Sequence, residues 1–458
     1  MDRYMKQEIL ENLRPPKDVK LPDYIRYTIL KETNSSGLSD KDIEDGKSKL
    51  SKDFDLLKKG VPIKPLYSDQ KQYIAYINSY LEIYFPRMHF ILNHLLKYTN
   101  FYEILKSWNN ETIRILDIGT GPGTMFNAFI EYFENINQFG IFNFNYEVNL
   151  IEREENFLKF IKELFNIIQT INPALSKRIN LKETLEPRFI NFKDLKGSLK
   201  TILGDEKYNV IILSFIINEN NPDKDKLINL FNLISTYLKE NGIIILLEAP
   251  SPHLYKYLEI DFKSEVNLIR NAPCLNANRN YGTPQKRDFP FFNPCGDLCT
   301  FQINPEERNS FCYLVLSSQD INSRNYSNLI QNTIDLYQRN ISLTYMNRYK
   351  RQKILDRNGR ENIDIYGLFT NRSYTDYYFC NGGCKFKIAN YSGTDFNFEE
   401  GDIVIIRNAK FDGPFVKKNT RVDPPIIKNY AELGFKYGGN DPPIEPSSFE
   451  KIPYFLNE

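Results

Sequence analysis

The sequence predicts an α/β protein with a parallel sheet at its centre, helices ahead of it and a small β-barrel behind it. Three observations carry that expectation. Charged and apolar residues recur at helical spacing before residue 105; short branched runs then alternate with long amphipathic segments as far as residue 262. Several short strand-like runs, separated by Gly and Asn turns, crowd into residues 346–421.

In chain order, the helical region spans residues 1–105 and includes "LSDKDIEDGKSKLSKDFDLLKKG" and "DQKQYIAYINSYLEIYFPRMHFILNHLLKY". Ser39 followed by Asp42, with Leu38 before them, has the form of a helix-capping arrangement. In residues 106–262, "TIRILDIG", "YEVNLIE", "YNVIILSFI" and "GIIILLEA" read as strands, and "ENFLKFIKELFNIIQTI" and "KDKLINLFNLISTYLKEN" as the helices that connect them. Residues 263–325 hold Cys274, Cys295, Cys299 and Cys312 among Pro, Asn and Gly, and end in the strand-like "FCYLVLSS". They are expected to form an irregular insertion pinned to the end of the sheet. A polar linker over 326–345, the barrel over 346–421 and an extended tail over 422–458 complete the chain, with no internal repeat.

Composition narrows the class. The 458 residues are 41% hydrophobic and 26% charged, with ample material for more than one core. Fifty-nine basic against 58 acidic residues leave no global signature of a nucleic-acid coat or a membrane-surface binder. The N-terminus mixes acids with bases and resembles neither a secretory signal nor a transit peptide. No stretch approaches the roughly 20 apolar residues of a membrane span. A cytoplasmic monomer is expected, with the mitochondrial matrix as the alternative for a eukaryotic source, and the six cysteines then read as thiols or metal ligands.

The most specific motif is "RILDIGTGPGT": an apolar strand ending at Asp117, then Gly119, Gly121 and Gly123 ahead of the apolar helix "MFNAFIEYF". Glycines let backbone turn tightly and approach a ligand where a side chain would collide. Asp-x-Gly-x-Gly-x-Gly differs from the dinucleotide fingerprint Gly-x-Gly-x-x-Gly. It resembles motif I of class I methyltransferases, which bind S-adenosylmethionine (SAM). That resemblance implies a Rossmann-like core and an acid at the end of the second strand that accepts from the ribose hydroxyls. Glu152 matches, with Glu154 as the register alternative. The plain alternative is a strand-helix turn that holds no cofactor.

The fourth strand runs into "ILSFIINENNPD", which lacks the Asn/Asp-Pro-Pro-aromatic motif of methyltransferases that act on exocyclic amines. Ser214, Asn218 and Glu219 are expected near the pocket mouth, where each could equally cap the following helix. His89 and His94 read as packing or surface residues, and His253 as a residue of the ligand mouth. No catalytic residue is assigned.

Cys274, Cys295, Cys299 and Cys312 are separated by 20, 3 and 12 residues, and four thiolates suit either a tetrahedral Zn²⁺ or a [4Fe-4S] cluster. The order of "YLEIYFPRMHFIL", "LDIGTGPGT", "LSFIINE", "GIIILLEAPSP", "APC", "CTF" and "FCYLVLS" resembles the methyltransferase-like family that accompanies the small subunit of mitochondrial ribosomes, with its bacterial and archaeal relatives. The resemblance covers about residues 20–320. It implies SAM binding, a four-cysteine [4Fe-4S] site and small-subunit ribosomal RNA as partner, with Cys274, Cys299 and Cys312 as ligands. Cys295 then replaces the family's second cysteine, whose usual Cys-Pro-His segment is missing here; zinc stays the alternative.

Beyond that match, "YYFCNGGCKFKIANYSGTDFNFEEGDIVIIRNAKF" resembles an oligonucleotide-binding (OB) fold. Such barrels bind strands through exposed aromatics and cations, which Tyr366, Phe369, Arg372, Tyr377, Phe379, Lys385 and Lys387 supply. Cys380 and Cys384 straddle a Gly-rich turn as paired strand residues would, and "NRYKRQKILDRNGR" adds positive charge suited to phosphates. The expected function is a SAM-binding methyltransferase-like protein that acts on or binds small-subunit ribosomal RNA. Two alternatives are a non-catalytic iron-sulfur assembly factor and a small-molecule methyltransferase.

Overall fold

A computed structural model describes residues 2–58, 67–109, 111–182, 194–249, 265–272 and 310–321, a few single positions between these, and strand backbones between 363 and 451. Chain contacts divide it into two units, Met1–Pro273 with Phe311–Ile321, and Cys274–Ser310 with Asn322–Glu458.

The first unit begins with helices α1 (Asp2–Glu11), α2 (Asp23–Ser36), α3 (Asp40–Lys58), α4 (Gln70–Ser79), α5 (Leu81–Tyr98) and α6 (Phe101–Trp108). Their ends follow from local chemistry. Gly37, at φ +68°, takes the left-handed turn that stops α2. At the start of α3 the Asp42 N–H donates to Ser39 Oγ at 3.3 Å and the Ser39 N–H donates to Asp42 Oδ2 at 3.1 Å, a reciprocal cap. Asp69 caps α4 by accepting from the Gln72 N–H at 3.0 Å. Helix α5 buries Phe85, Met88, Ile91, Leu92 and Leu95 completely.

A seven-stranded sheet follows: β1 (Thr112–Ile118), β2 (Asn145–Ile151), β3 (Ile179–Leu181), β4 (Tyr208–Ser214), β5 (Leu238–Glu248), β6 (Ile269–Ala272) and β7 (Cys312–Ser317), in the order β3-β2-β1-β4-β5-β7-β6. The first five are parallel, and β7 runs antiparallel to both β5 and β6. Every residue of β4 is buried, as its unbroken apolar run requires for a strand covered on both faces. Between the strands come α7 (Thr124–Asn137), α8 (Glu155–Ile171), α9 (Pro173–Arg178), α10 (Leu195–Leu203), α11 (Ile216–Asn220) and α12 (Lys224–Ser235). The result is a Rossmann-like α/β architecture in which strand order reverses between β1 and β4. Open sheets of this kind bind ligands in the crevice outside the carboxyl ends of the strands at that reversal.

Five elements of the first unit were not legible in the sequence: β3, α9, α10, α11 and β6. Strand β5 also starts earlier than "GIIILLEA" suggests, because Leu238 already pairs with Tyr208 before a register shift brings Ile243 opposite Val210. No helix among the described residues is long and apolar enough to cross a membrane.

In the second unit, β8 (Ile363–Ser373), β9 (Asp376–Cys380) and β10 (Lys385–Ala389) form an antiparallel meander. Strand β11 (Ile403–Asp412) pairs antiparallel with β8, while β12 (Ile426–Lys428) pairs parallel with β10 and antiparallel with β11. The pairings therefore close a ring of five strands, and β13 (Phe449–Lys451) adds to β11 outside it. Cys380 ends β9 opposite Lys385, so the Gly-rich segment joins a hairpin. Cys384, the linker and most of the tail lie outside the described residues.

Phe133 of α7 is fully buried among Phe129, Phe144 and Phe101, with ring centroids at 4.6, 5.5 and 6.4 Å. Phe133→Ala should destabilise the first unit by about 3–5 kcal/mol, measured by urea denaturation.

Candidate ligand site at the glycine turn

Parallel register sets the site. Asp117 pairs with Leu150 and Ile118 with Ile151, so the turn after β1 emerges beside Glu152, the residue after β2. The Gly119 N–H closes that junction by donating to the Ile151 carbonyl at 2.8 Å. Gly119, Gly121 and Gly123 take φ of +70°, +54° and +82°, backbone that other residues adopt at a cost. A Cβ on Gly119 would stand 2.7 Å from Ile216 Cγ1, and one on Gly123 would stand 2.6 Å from the Phe126 ring. Gly121 differs: a Cβ there would meet nothing within 4 Å, and the residue lines a cavity.

Glu152 is buried and reaches that turn. Its Oε2 accepts from the Gly121 N–H at 2.7 Å, and its Oε1 accepts from the N–H groups of Arg153 at 2.7 Å and Glu154 at 2.9 Å. Burial raises its pKa, and these three donors oppose the rise. A carboxylate offers about four acceptor positions, so one remains on Oε2 for a ligand hydroxyl. Asp117 is fully buried; Oδ2 accepts from the Thr120 hydroxyl at 2.8 Å, and Oδ1 has no hydrogen-bond partner among the described residues. Desolvation carries its pKa from 3.8 up to about 7.

Across β1, Ser214 and α11 form the other wall. Among the described residues only Phe215 (φ 59°) and Asn221 (φ 40°) are non-glycines with positive φ, and they bracket this five-residue helix. Strain of this kind gathers where function over-determines backbone. Helix α11 is anchored from β5: Glu248 Oε1 accepts from the Ile217 N–H at 2.7 Å, and the Asn218 amide donates to the Ala249 carbonyl at 2.7 Å. Phe215 lines the cavity and packs on Tyr84, with ring centroids 4.8 Å apart.

Tyr67, Tyr76 and Phe157 complete the lining, with mutual ring distances of 4.8, 5.1 and 5.3 Å. Burial raises both tyrosine pKa values, so the hydroxyls stay neutral donors. Against Glu152, Glu154 and Glu219 the lining holds one cation among the described residues, Arg153, whose Nε donates to Glu154 Oε1 at 2.9 Å and whose Nη2 lies 3.4 Å from Glu219 Oε2. Such a lining suits a ligand with hydroxyls, a flat ring and positive charge. It disfavours a pyrophosphate, because the Gly121 N–H is already taken by a carboxylate.

Of the residues singled out by sequence, Gly119, Gly121, Glu152, Glu154, Ser214 and Glu219 line this crevice, whereas Asp117 is fully buried behind the turn and Gly123 packs on Phe126. Glu152 bonds to the turn, whereas Glu154 pairs with Arg153. Asn218 is buried on the β5 side, and neither it, Ser214 nor Glu219 caps a helix; Asp223 caps α12 by accepting from the Lys226 N–H at 2.8 Å. Arg153, Phe215, Tyr67, Tyr76 and Phe157 were missed, although Arg153 and Phe215 adjoin residues that were marked. His89 is buried with Nε2 at 2.8 Å from Glu131 Oε2. His94 shares a buried hydrogen bond with Tyr313, and burial lowers its pKa to about 3. Both are packing residues, and His253 lies outside the described residues.

Cys312 is buried in β7 opposite Glu248, and its thiol donates to the Glu248 carbonyl with sulfur and oxygen 3.4 Å apart. Cys274, Cys295 and Cys299 lie outside the described residues. Among those described, no group of three His, Cys, Asp or Glu side chains is placed to hold a metal.

No family model matches the chain, and neither does a curated protein. Similar solved structures include the mitomycin 7-O-methyltransferase MmcR, at 13% identity and a TM-score of 0.20 over 36% of this chain and 39% of that one. An O-methyltransferase family protein from Burkholderia thailandensis gives 11% and 0.30 over 64% and 72%. A SAM-dependent methyltransferase from Leishmania major gives 14% and 0.26 over 49% and 74%. The chain thus matches well under two thirds of the mitomycin enzyme's length. Likenesses at this level carry no argument about activity; the fold class rests on the strand order.

Asp117 gives the site a pH signature. Its pKa is about 7 folded against 3.8 unfolded, so its contribution to stability is fully present below about pH 3.8 and is lost as pH rises through about 7. Asp117→Asn should remove this decline, measured as the difference in denaturation free energy between pH 5 and pH 8.

Proposed function

We propose that this chain binds SAM at the glycine turn as a methyltransferase-like protein and that its macromolecular partner is small-subunit ribosomal RNA. One observation carries the cofactor: Glu152 is fixed on the Gly121 N–H with an acceptor position to spare, where Gly121 leaves its Cβ space open to the cavity. The residues fit the cofactor. Gly121 supplies close backbone approach, Glu152 Oε2 accepts from a ribose hydroxyl, and Asp117, buried behind the turn, favours a cation at the site through its charge once the carboxyl loses its proton. Bound SAM supplies an electrophilic methyl group on a sulfonium. Positioning of an acceptor in line with that methyl falls to the β4 side, Ser214 to Glu219.

RNA binding is supported by the second unit. Five strands with a meander, a parallel β10–β12 pair and closure through β11 suit an OB-like barrel, and the basic segment at 347–360 precedes it. A [4Fe-4S] cluster on Cys274, Cys295, Cys299 and Cys312 is part of the same proposal, with zinc the alternative. Cys312 stands at the carboxyl edge of the sheet, and β6 runs toward that edge, ending at Ala272 opposite Val315, two residues before Cys274 in sequence.

Calorimetric titration with SAM should give a single site that Gly121→Val weakens at least tenfold, with affinity rising as pH passes about 7, because a cation favours ionised Asp117. Absence of SAM binding at pH 8 would sink the reading. Anaerobic purification should yield four irons with acid-labile sulfide per chain, and cross-linking in cells should recover small-subunit ribosomal RNA; stoichiometric zinc without sulfide would reject the cluster.

A further inference from the structure

The cavity at the glycine turn encloses about 110 Å³, below the roughly 300–1,000 Å³ typical of small-molecule pockets. A cofactor-sized ligand that seats fully against the turn displaces part of the wall. Sheet order identifies the obstacle. Arg153 follows β2 and Glu219 follows β4, and β1 lies between those two strands. The Arg153–Glu219 pair therefore spans the end of β1, directly across Gly119 and Gly121, which line the same cavity. Both side chains are about four-fifths buried, at 23% and 21% exposure, so the pair is partly shielded from solvent.

Two other parts of the wall are held more firmly. Glu152 is held by three N–H donors, and the near half of α11 is tied to β5 through Ile217 and Asn218. The far half, which carries Glu219, ends at the left-handed Asn221. Glu219 Oε2 meets Arg153 Nη2 of the β2 side at 3.4 Å, long for a charge-assisted hydrogen bond.

We propose that Arg153 and Glu219 form a charge-selective strap over the site: the guanidinium is a resident cation, and a ligand is admitted when its own positive centre replaces Arg153 at Glu219. This rests on the SAM reading. A ligand with its ribose at Glu152 runs across β1 toward β4 and so brings its sulfonium to the Glu219 side. S-adenosylhomocysteine, with a neutral sulfur, opens the strap without that compensation, and the pair thereby selects the charged cofactor over its neutral product.

The test is calorimetric titration of the full chain with SAM and with S-adenosylhomocysteine. Arg153→Gln should tighten both ligands by about three- to tenfold and leave their affinity ratio unchanged, since a shielded ion pair no longer has to open. Glu219→Gln should tighten S-adenosylhomocysteine while leaving SAM nearly unchanged, so that the preference for SAM collapses; the double variant should match Glu219→Gln. Arg153→Lys should restore most of the wild-type behaviour. Weaker binding of both ligands by Arg153→Gln, or an unchanged ratio in Glu219→Gln, would overturn the strap while leaving SAM binding intact. Failure of the wild type and all variants to bind either ligand would instead remove the SAM reading itself, and the strap with it.

Discussion

The site depends on one steric constraint: Gly119 and Ile216 approach so closely that a single methyl group on Gly119 would collide with the isoleucine. That contact lets the turn after β1 and the short helix after β4 share one crevice. A side chain there would push α11 outward and take Glu219, Phe215 and the strand-end alignment with it. The positive φ of Phe215 is the companion cost, because a chain leaving β4 must bend sharply to bring Ile216 over Gly119. Strain at Phe215 and vacancy at Gly119 are thus two sides of the same packing requirement.

Three acids stand at strand ends around this contact: Asp117 in β1, Glu152 after β2 and Glu248 closing β5. Burial raises the pKa of all three, yet they are compensated unequally. Glu152 has three N–H donors. Glu248 Oε1 has the start of α11 and Asp117 has the Thr120 hydroxyl with the Phe126 N–H, while Glu248 Oε2 and Asp117 Oδ1 are unsatisfied among the described residues. An unsatisfied buried polar atom costs about 1–3 kcal/mol, a debt that a cationic group at Asp117 would cancel. Glu248 serves the fold by holding α11; Asp117 stands at the start of the glycine turn, where a ligand's charge would reach it.

Much of this was legible in the sequence, for physical reasons that also mark where legibility stops. Buried parallel strands must be apolar runs, so β1, β2, β4 and β5 announced themselves, and a turn that needs three positive-φ positions announced itself by three glycines. Strand β6 was hidden because it is fixed by polar contacts: the buried Asn271 donates to Ser317 Oγ at 2.6 Å and accepts from the Ile321 N–H at 3.0 Å. Periodicity is blind to such pinning. Tyr67 and Tyr76 come to the cavity from the helical region through tertiary packing, and nothing in their local sequence separates them from the other tyrosines. His94 is similar: its partner Tyr313 lies more than 200 residues away, and only the fold pairs them.

Cys312 joins the sheet to the thiol question. Because β7 runs antiparallel to β5, its first residue stands at the edge where β5 ends, on the carboxyl side of the parallel strands. A metal ligand must be a thiolate, which cannot donate, so ligation would cost the contact with the Glu248 carbonyl. A thiol is a weak donor, and a backbone carbonyl that keeps its place in the β5–β7 ladder loses little with it. The loss is small beside the gain of a metal–thiolate bond. Burial works the other way, since a thiolate without a countercharge is disfavoured in an apolar strand end. Cys312 therefore remains a thiol unless a cation is delivered to that edge, and this makes it a residue whose ionisation reports directly on whether one is there.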